Sequence, residues 1–217
     1  MIKMENFNLY TKLLKAPKDA PVFLTSSLEE NFILKAYTFG LFPWTSNPVT
    51  WWCPDPRCIL LPKDIHIQKN IKKFCKKYTI KLDFDFLNLI KLCKDTREQS
   101  WINDDFIYTY TNLFNLGYAH SLEIYKDDIL VGGIYGLIIG KVFFGESMAG
   151  IEKNVSKIAL IKLCELLRPY DFLIDCQIYN SHLKFMGAKN ITREQFLKIL
   201  SKKTQLNSGF KNFKELI

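Results

Sequence analysis

Ala119-His-Ser-Leu-Glu-Ile-Tyr125, Ile129-Leu-Val-Gly-Gly-Ile-Tyr-Gly-Leu137 and Lys141-Val-Phe-Phe-Gly-Glu-Ser147 follow one another with only Lys126-Asp-Asp128 and a turn near Gly140 between them. Runs rich in β-branched and aromatic residues, broken by turn-forming residues, predict an antiparallel meander of three strands. Upstream, Phe86, Leu89, Ile90 and Cys93 recur at helical spacing. Asn103 then reads as the N-cap of a second helix that runs through Phe106, Tyr110, Leu113 and Phe114 to Gly117. Downstream, the pattern predicts an apolar-faced helix over Asn154–Leu167, a buried strand over Phe172–Ile178 and a short helix from Asn180 to Phe185. Thr192-x-x-Gln195 caps a final helix to about Lys202, and residues 203–217 read as a polar tail. Helices, then a meander, then helix–strand–helix specify an α+β fold with a central mixed sheet rather than a doubly wound one.

Ahead of this body, Ser27-Leu-Glu-Glu30 has the form of a capping box. Leu28, Phe32, Ala36 and Tyr37 then keep helical spacing until Gly40. The next segment, Phe42 to Arg57, holds Trp44, Trp51 and Trp52 among four prolines. Proline lacks an N–H and restrains its predecessor, so the segment is expected to be an irregular, rigid loop with neither helix nor interior strand. Its aromatic faces suit stacking of unpaired bases, or alternatively a plug at the core edge. Cys58–Leu61 predicts a short strand and Tyr78–Phe84 a half-buried one. Residues 63–81 carry seven lysines and one acid, with Ile67, Ile71, Phe74 and Cys75 on one face, which predicts an amphipathic basic helix. That imbalance favours phosphate contact over a merely solvated face. The expected division is a small N-terminal domain, 1–57, and a larger one, 58–217.

Across 217 residues, Lys+Arg 30 against Asp+Glu 22 leaves a formal charge of +8, which points to a polyanion partner, most often nucleic acid. The six cysteines form no C-x-x-C pair and suit buried thiols in a reducing cytoplasm. Cys53-x4-Cys58 with His66 lacks the spaced partners of a zinc site, so no metal is expected. The N-terminus lacks a signal peptide's apolar run, and no membrane-length apolar stretch exists, so an intracellular, membrane-free protein is expected. Nothing demands more than a monomer.

Two blocks place polar groups at predicted strand ends, Gly145-Glu146-Ser147-Met148 and Asp175-Cys176-Gln177. Asp175 and Gln177 are two apart, so they share one sheet face, opposite Cys176. Strand capping is the structural alternative for each block; both together favour a site. His182 has no Ser/Asp partner at hydrolase spacing, and His66 and His120 read as core or strand residues.

The order of elements resembles GNAT-type acyltransferases, but Ala149-Gly150-Ile-Glu-Lys-Asn154 lacks the glycine-rich pyrophosphate loop of acetyl-CoA enzymes. The resemblance then sharpens in a series of motifs. They are Ala36-Tyr37-x-x-Gly40-x-Phe42-Pro43-Trp44, Trp51-Trp52-x-Pro54-Asp55-Pro56-Arg57, Trp101-Ile102 and Leu116-Gly117-Tyr118-Ala119-His120-Ser121. Leu130-Val131-Gly132-Gly133-x-Tyr135-Gly136, Phe144-Gly145-Glu146-Ser147-Met148, Ser156-Lys157-x-Ala159-Leu160 and Ile174-Asp175-Cys176-Gln177 follow, with His182 ahead of Met186-Gly187-Ala188. In this order they resemble the leucyl/phenylalanyl-tRNA–protein transferases. The departure is at the front, where Phe23-Leu-Thr-Ser-Ser-Leu28 replaces a usual Gly-Gly-Asp-Leu-Ser.

The resemblance implies a small N-terminal domain on a GNAT-like domain and transfer of Leu or Phe, with Met minor, from aminoacyl-tRNA. The acceptors would be proteins with N-terminal Arg or Lys, marked thereby for N-degron degradation, and no cofactor would be used. It also implies that Asp175 orients Gln177, that Gln177 holds the attacking amine and that Glu146 meets the incoming cation. Tyr37, Trp44 and Trp101 would stack on the terminal adenosine. Ile134, Phe143, Met148 and Leu160 would take the aminoacyl side chain, and Lys69, Lys72, Lys73, Lys76 and Lys77 would track the tRNA backbone. The competing readings are a GNAT-type N-acetyltransferase and a non-catalytic RNA-binding module.

Overall fold

Prolines and tryptophans build the first sheet instead of a loop. The computed structural model describes residues 9–69, 71 and 76–217. After a helix over 9–14 (α1), Phe23–Thr25 (β1), Phe42–Ser46 (β2) and Val49–Trp52 (β3) pair antiparallel in the order β1-β3-β2. The expectation of an irregular segment is therefore corrected. Pro43 lies in the edge strand and Pro48 in the two-residue turn, both positions that tolerate a missing N–H, while central β3 contains no proline. Trp51 is fully buried against Phe23 and Phe32. Between β1 and β2 runs Glu30–Thr38 (α2), with Ile33, Ala36 and Tyr37 inward. No capping box forms, because this helix starts at Glu30 itself and Ser27 bonds the Glu29 carboxylate instead.

The second sheet comprises Arg57–Leu60 (β4), Thr79–Leu82 (β5), Ala119–Lys126 (β6), Ile129–Ile139 (β7), Val142–Gly150 (β8), Leu173–Gln177 (β9) and Lys189–Ile191 (β10). Their order is β10-β4-β9-β8-β7-β6-β5, antiparallel throughout except for the parallel pair β8–β9. The expected meander is β6-β7-β8, and the sheet is mixed, as the α+β reading requires. Helices Phe86–Asp95 (α3), Asp104–Asn115 (α4), Val155–Leu167 (α5), Ser181–Phe185 (α6) and Arg193–Lys203 (α7) complete the chain. Asn103 and Asn180 cap α4 and α6, and Thr192 with Gln195 closes a capping box on α7.

Alternation along the strands divides the apolar residues into two cores. Ile59, Phe144 and Leu173 join α2, α3, α4, α7 and the first sheet on one face; Cys58, Phe143 and Ile174 join α5 on the other.

Two further expectations fail. Residues 203–217 are not a free polar tail: a 3-10 turn, Phe213–Leu216, buries Phe213 against Phe210 and His120 in the second core. Nor does one helix fill 63–81, since Pro62–Asp64 is a 3-10 turn, 65–68 is irregular and β5 starts at Thr79. Lys69, Lys76 and Lys77 are exposed there; Lys72, Lys73, Phe74 and Cys75 lie outside the described residues. Among the described residues, no helix is long and apolar enough to cross a membrane.

Candidate active site

The parallel strands β8 and β9 stay in register for only three pairs, Val142↔Leu173, Phe143↔Ile174 and Phe144↔Asp175, and then part. Each strand carries a bulge just beyond that point. Against β7, Tyr135 pairs with Ser147 but Gly136 with Gly145, leaving Glu146 as the extra residue. Against β4, Cys58 pairs with Gln177 but Ile59 with Asp175, leaving Cys176. A third slip, in β2 against β3, leaves Trp44. Bulges bend a strand and re-aim its side chains. All three extra residues line one cleft of about 260 Å3 between the parted strands.

Trp44, Trp101, Glu146 and Gln177 line this cleft, together with the apolar Ile134, Met148 and Leu160. Two expected members do not. Phe143 is 1% exposed, and its ring packs against Gly136. Tyr37 is 0% exposed and cannot stack on a ligand; α2 points its hydroxyl inward to the Glu146 carboxylate.

Beneath the cleft, the Glu146 carboxylate is held on both oxygens. Oε1 accepts from the Tyr37 hydroxyl at 2.6 Å and from Gln177 Nε2 at 3.0 Å, and Oε2 accepts from the Tyr110 hydroxyl at 3.0 Å. The two tyrosine oxygens are 2.7 Å apart. Burial pushes the Glu146 carboxyl up to about 7; the tyrosine hydroxyls pull the other way, and Asp175 adds to the rise. Burial and the Glu146 charge raise both tyrosines well above their ordinary range.

Asp175 is fully buried and does not face the cleft. Arg57 donates to it twice, Nε to Oδ1 at 2.8 Å and Nη2 to Oδ2 at 2.6 Å. The guanidinium lies between the rings of Phe42 and Phe196, 4.7 and 4.6 Å from their centroids. Burial works against its charge, but the charge and hydrogen bonds of Asp175, with smaller help from Cys53 and Tyr37, leave the Arg57 pKa raised. Asp175 Oδ1 also accepts the backbone N–H of Gln177 at 3.0 Å, holding that residue at φ 59°. The contact between Asp175 and Gln177 is thus through the backbone, and the Gln177 carboxamide turns to Glu146.

Sequence reasoning gave no role to Arg57, Tyr110 or Arg97. Arg57 closes the Pro54-Asp55-Pro56-Arg57 motif, a signal that was present. Tyr110 reads as one apolar residue of a helix face, yet a tyrosine there must find a partner for its hydroxyl. Arg97, which also lines the cleft, follows α3 in a segment without periodicity.

Comparison with known proteins identifies the family. The family model described as leucyl/phenylalanyl-tRNA protein transferase matches residues 59–201, and the one for the N-terminal domain of the same enzyme matches 27–55. A leucyl/phenylalanyl-tRNA–protein transferase of Campylobacter jejuni (strain RM1221) is 71% identical over 214 residues, covering 99% of this chain and 100% of that one. Another from Legionella pneumophila (strain Corby) is 43% identical over 175 residues, 77% of this chain and 79% of its own. Among solved structures, a conserved Staphylococcus epidermidis protein of unknown function is 12% identical with a TM-score of 0.42, covering 78% of this chain and 66% of that one. An aminoglycoside acetyltransferase from an uncultured soil sample is 11% identical with a TM-score of 0.39, covering 61% and 90%. With two family models meeting across most of its length, and a relative identical at more than two thirds of positions, the chain belongs to the leucyl/phenylalanyl-tRNA–protein transferase family of enzymes.

Proposed function

We propose that the cleft transfers Leu or Phe, with Met as a minor donor, from the 3′ end of aminoacyl-tRNA to the α-amino group of proteins beginning with Arg or Lys, marking them for N-degron degradation. The observation that carries this reading is the meeting of Trp44, Trp101, Glu146 and Gln177 in one opening over an apolar floor. Indoles offer stacking faces to an adenosine, worth ~1–3 kcal/mol per base. Ile134, Met148 and Leu160 offer an apolar slot that selects by volume, and one methylene there is worth only ~1–3 kcal/mol, so Met is tolerated.

An aminoacyl ester is already activated, so aminolysis needs only positioning, a neutral amine and a route for one proton. The acceptor nitrogen attacks the ester carbonyl, a C–N bond forms, and the bond to the tRNA 3′ oxygen breaks. Asp175 is poorly placed to take the proton because Arg57 occupies both its oxygens. Gln177 has no basic group and orients the amine. Glu146 is the suited acceptor, since its carboxyl sits at about 7, close to the ~7.7–8.0 of an α-ammonium. Its partners suit both states. As a carboxylate it accepts from both tyrosines; as an acid it donates to Tyr110, Tyr110 to Tyr37 and Tyr37 back to Glu146, closing a ring over the same three contacts. The proton then passes to the departing ribose oxygen.

The test is incubation of the protein with labelled Phe-tRNA or Leu-tRNA and peptides beginning with Arg, Lys or Ala, with acetyl-CoA as the alternative donor. Label on the Arg and Lys peptides alone is expected. Equal labelling of the Ala peptide would remove the acceptor assignment, and labelling only from acetyl-CoA would remove the donor.

A further inference from the structure

Arg97 lines the cleft, and the reaction just described makes no use of it. It lies just past the C-terminus of α3, where its Nη1 donates to the carbonyl of Cys93 at 2.6 Å and its Nη2 to that of Met148 at 3.3 Å. The guanidinium is thereby pinned between α3 and the bulged half of β8, in the cleft that Trp101 and Met148 also line. None of the ion pairs among the described residues includes it. A guanidinium has more N–H donors than two carbonyls can use. The negative end of α3 accounts for a cation here. It does not account for a fixed, unneutralised charge lining a cleft that must admit a cationic N-terminus. Left bare, that charge repels the acceptor.

We infer that Arg97 is a subsite for the 5′-phosphodiester of the terminal nucleotide of the donor. The inference rests on the aminoacyl-tRNA reading of the cleft and adds to it a specific anion contact. A nucleoside seated among the indoles carries its phosphate one ribose away from the base, and a planar guanidinium matches phosphate oxygens in a forked geometry. Once the phosphodiester covers Arg97, the remaining charge in the cleft is that of Glu146, which attracts the acceptor ammonium.

The experiment uses 3′-phenylalanylamido-3′-deoxyadenosine, which cannot transfer its amino acid, with and without a 5′-phosphate. Affinity for the full-length protein is measured by calorimetry at low salt. A charge-assisted contact is expected to make the phosphorylated analogue bind about tenfold tighter to the wild type. In Arg97→Gln this ratio should fall to about one, and in Arg97→Lys, which keeps the charge but not the fork, it should be intermediate. The salt slope for the phosphorylated analogue should also drop by about one in Arg97→Gln. An undiminished ratio in Arg97→Gln, or no phosphate preference in the wild type, overturns the subsite while leaving the donor reading intact. Failure of the wild type to bind either analogue overturns both.

Discussion

Arg57→Met should be among the most damaging single substitutions in this chain, and a second substitution should largely repair it. Both charges of the Arg57–Asp175 pair are 0% exposed, and Phe42 and Phe196 cover the faces of the guanidinium, so water cannot replace a lost partner. Removing one partner of a buried pair costs ~3–5 kcal/mol, because the survivor is left buried and uncompensated. For a chain of this size each kcal/mol lowers Tm by ~2–4 °C, so Arg57→Met should melt roughly 6–20 °C below the wild type. In Arg57→Met/Asp175→Leu no charge remains to be stranded. The residual cost is chiefly the orphaned Gln177 N–H, ~1–3 kcal/mol. Urea denaturation of the four proteins of the cycle at pH 7, with calorimetric Tm alongside, measures the coupling. A loss below about 1 kcal/mol in Arg57→Met, or a double variant as unstable as the two singles summed, would refute the reasoning that this charge is desolvated.

Three further outcomes are expected. The Glu146 carboxyl is raised from 4.5 to about 7 by burial, so the stability contributed by this group is fully present below the lower value and is lost as pH rises through the higher one. Glu146→Gln should therefore gain on the wild type by up to ~3 kcal/mol between pH 4 and 8, while its transfer activity loses the rise near pH 7; a pH-independent stability difference would contradict this. Replacing either Trp44 or Trp101 by Ala should weaken binding of an aminoacyl-adenosine analogue by ~1–3 kcal/mol, roughly 5–150-fold, as read by titration calorimetry. Phe213→Ala should cost ~3–5 kcal/mol in urea denaturation despite its polar surroundings in sequence, because the ring is 1% exposed; a change under 1 kcal/mol would restore the free-tail reading.

What could be read from the sequence followed from how local each signal is. The meander showed because turn residues at 126–128 and near Gly140 break three runs whose pairing partners are adjacent in the chain. Caps such as Asn103 and Thr192 with Gln195 are equally local. The first sheet was missed because whether a proline is tolerated depends on whether its strand is an edge, and that is settled by β1, a strand of three residues far upstream. The hydroxyl contact of Tyr37 is not legible in sequence, because helical spacing reports that a side chain faces inward, not whether its hydroxyl meets a ligand or a carboxylate contributed from 109 residues away. Phe143 and Phe144 are neighbours that enter opposite cores, and neither lines the cleft, because the strand is re-aimed only beyond them, by the bulge at Glu146.

That bulge, with its counterpart at Cys176, also explains why an enzyme would bury an ion pair that contributes little net stability. Opening a parallel pair of strands makes room for substrate, but it strips backbone groups beyond the last shared rung of their ladder partners. Gln177 sits at that point, and its N–H is recovered by Asp175 Oδ1. A carboxylate placed there, wholly out of water, is costly unless it is itself compensated. Arg57 supplies the compensation from the neighbouring strand β4, one residue before Cys58, which pairs with Gln177. Its own desolvation is eased by the two aromatic faces that enclose it. The chain of contacts from Phe42 and Phe196 through Arg57 and Asp175 to Gln177 is therefore a consequence of holding the sheet open. Its last member is the residue whose carboxamide reaches Glu146, so in the proposed reaction the same contacts would also set the position of the group that holds the attacking amine.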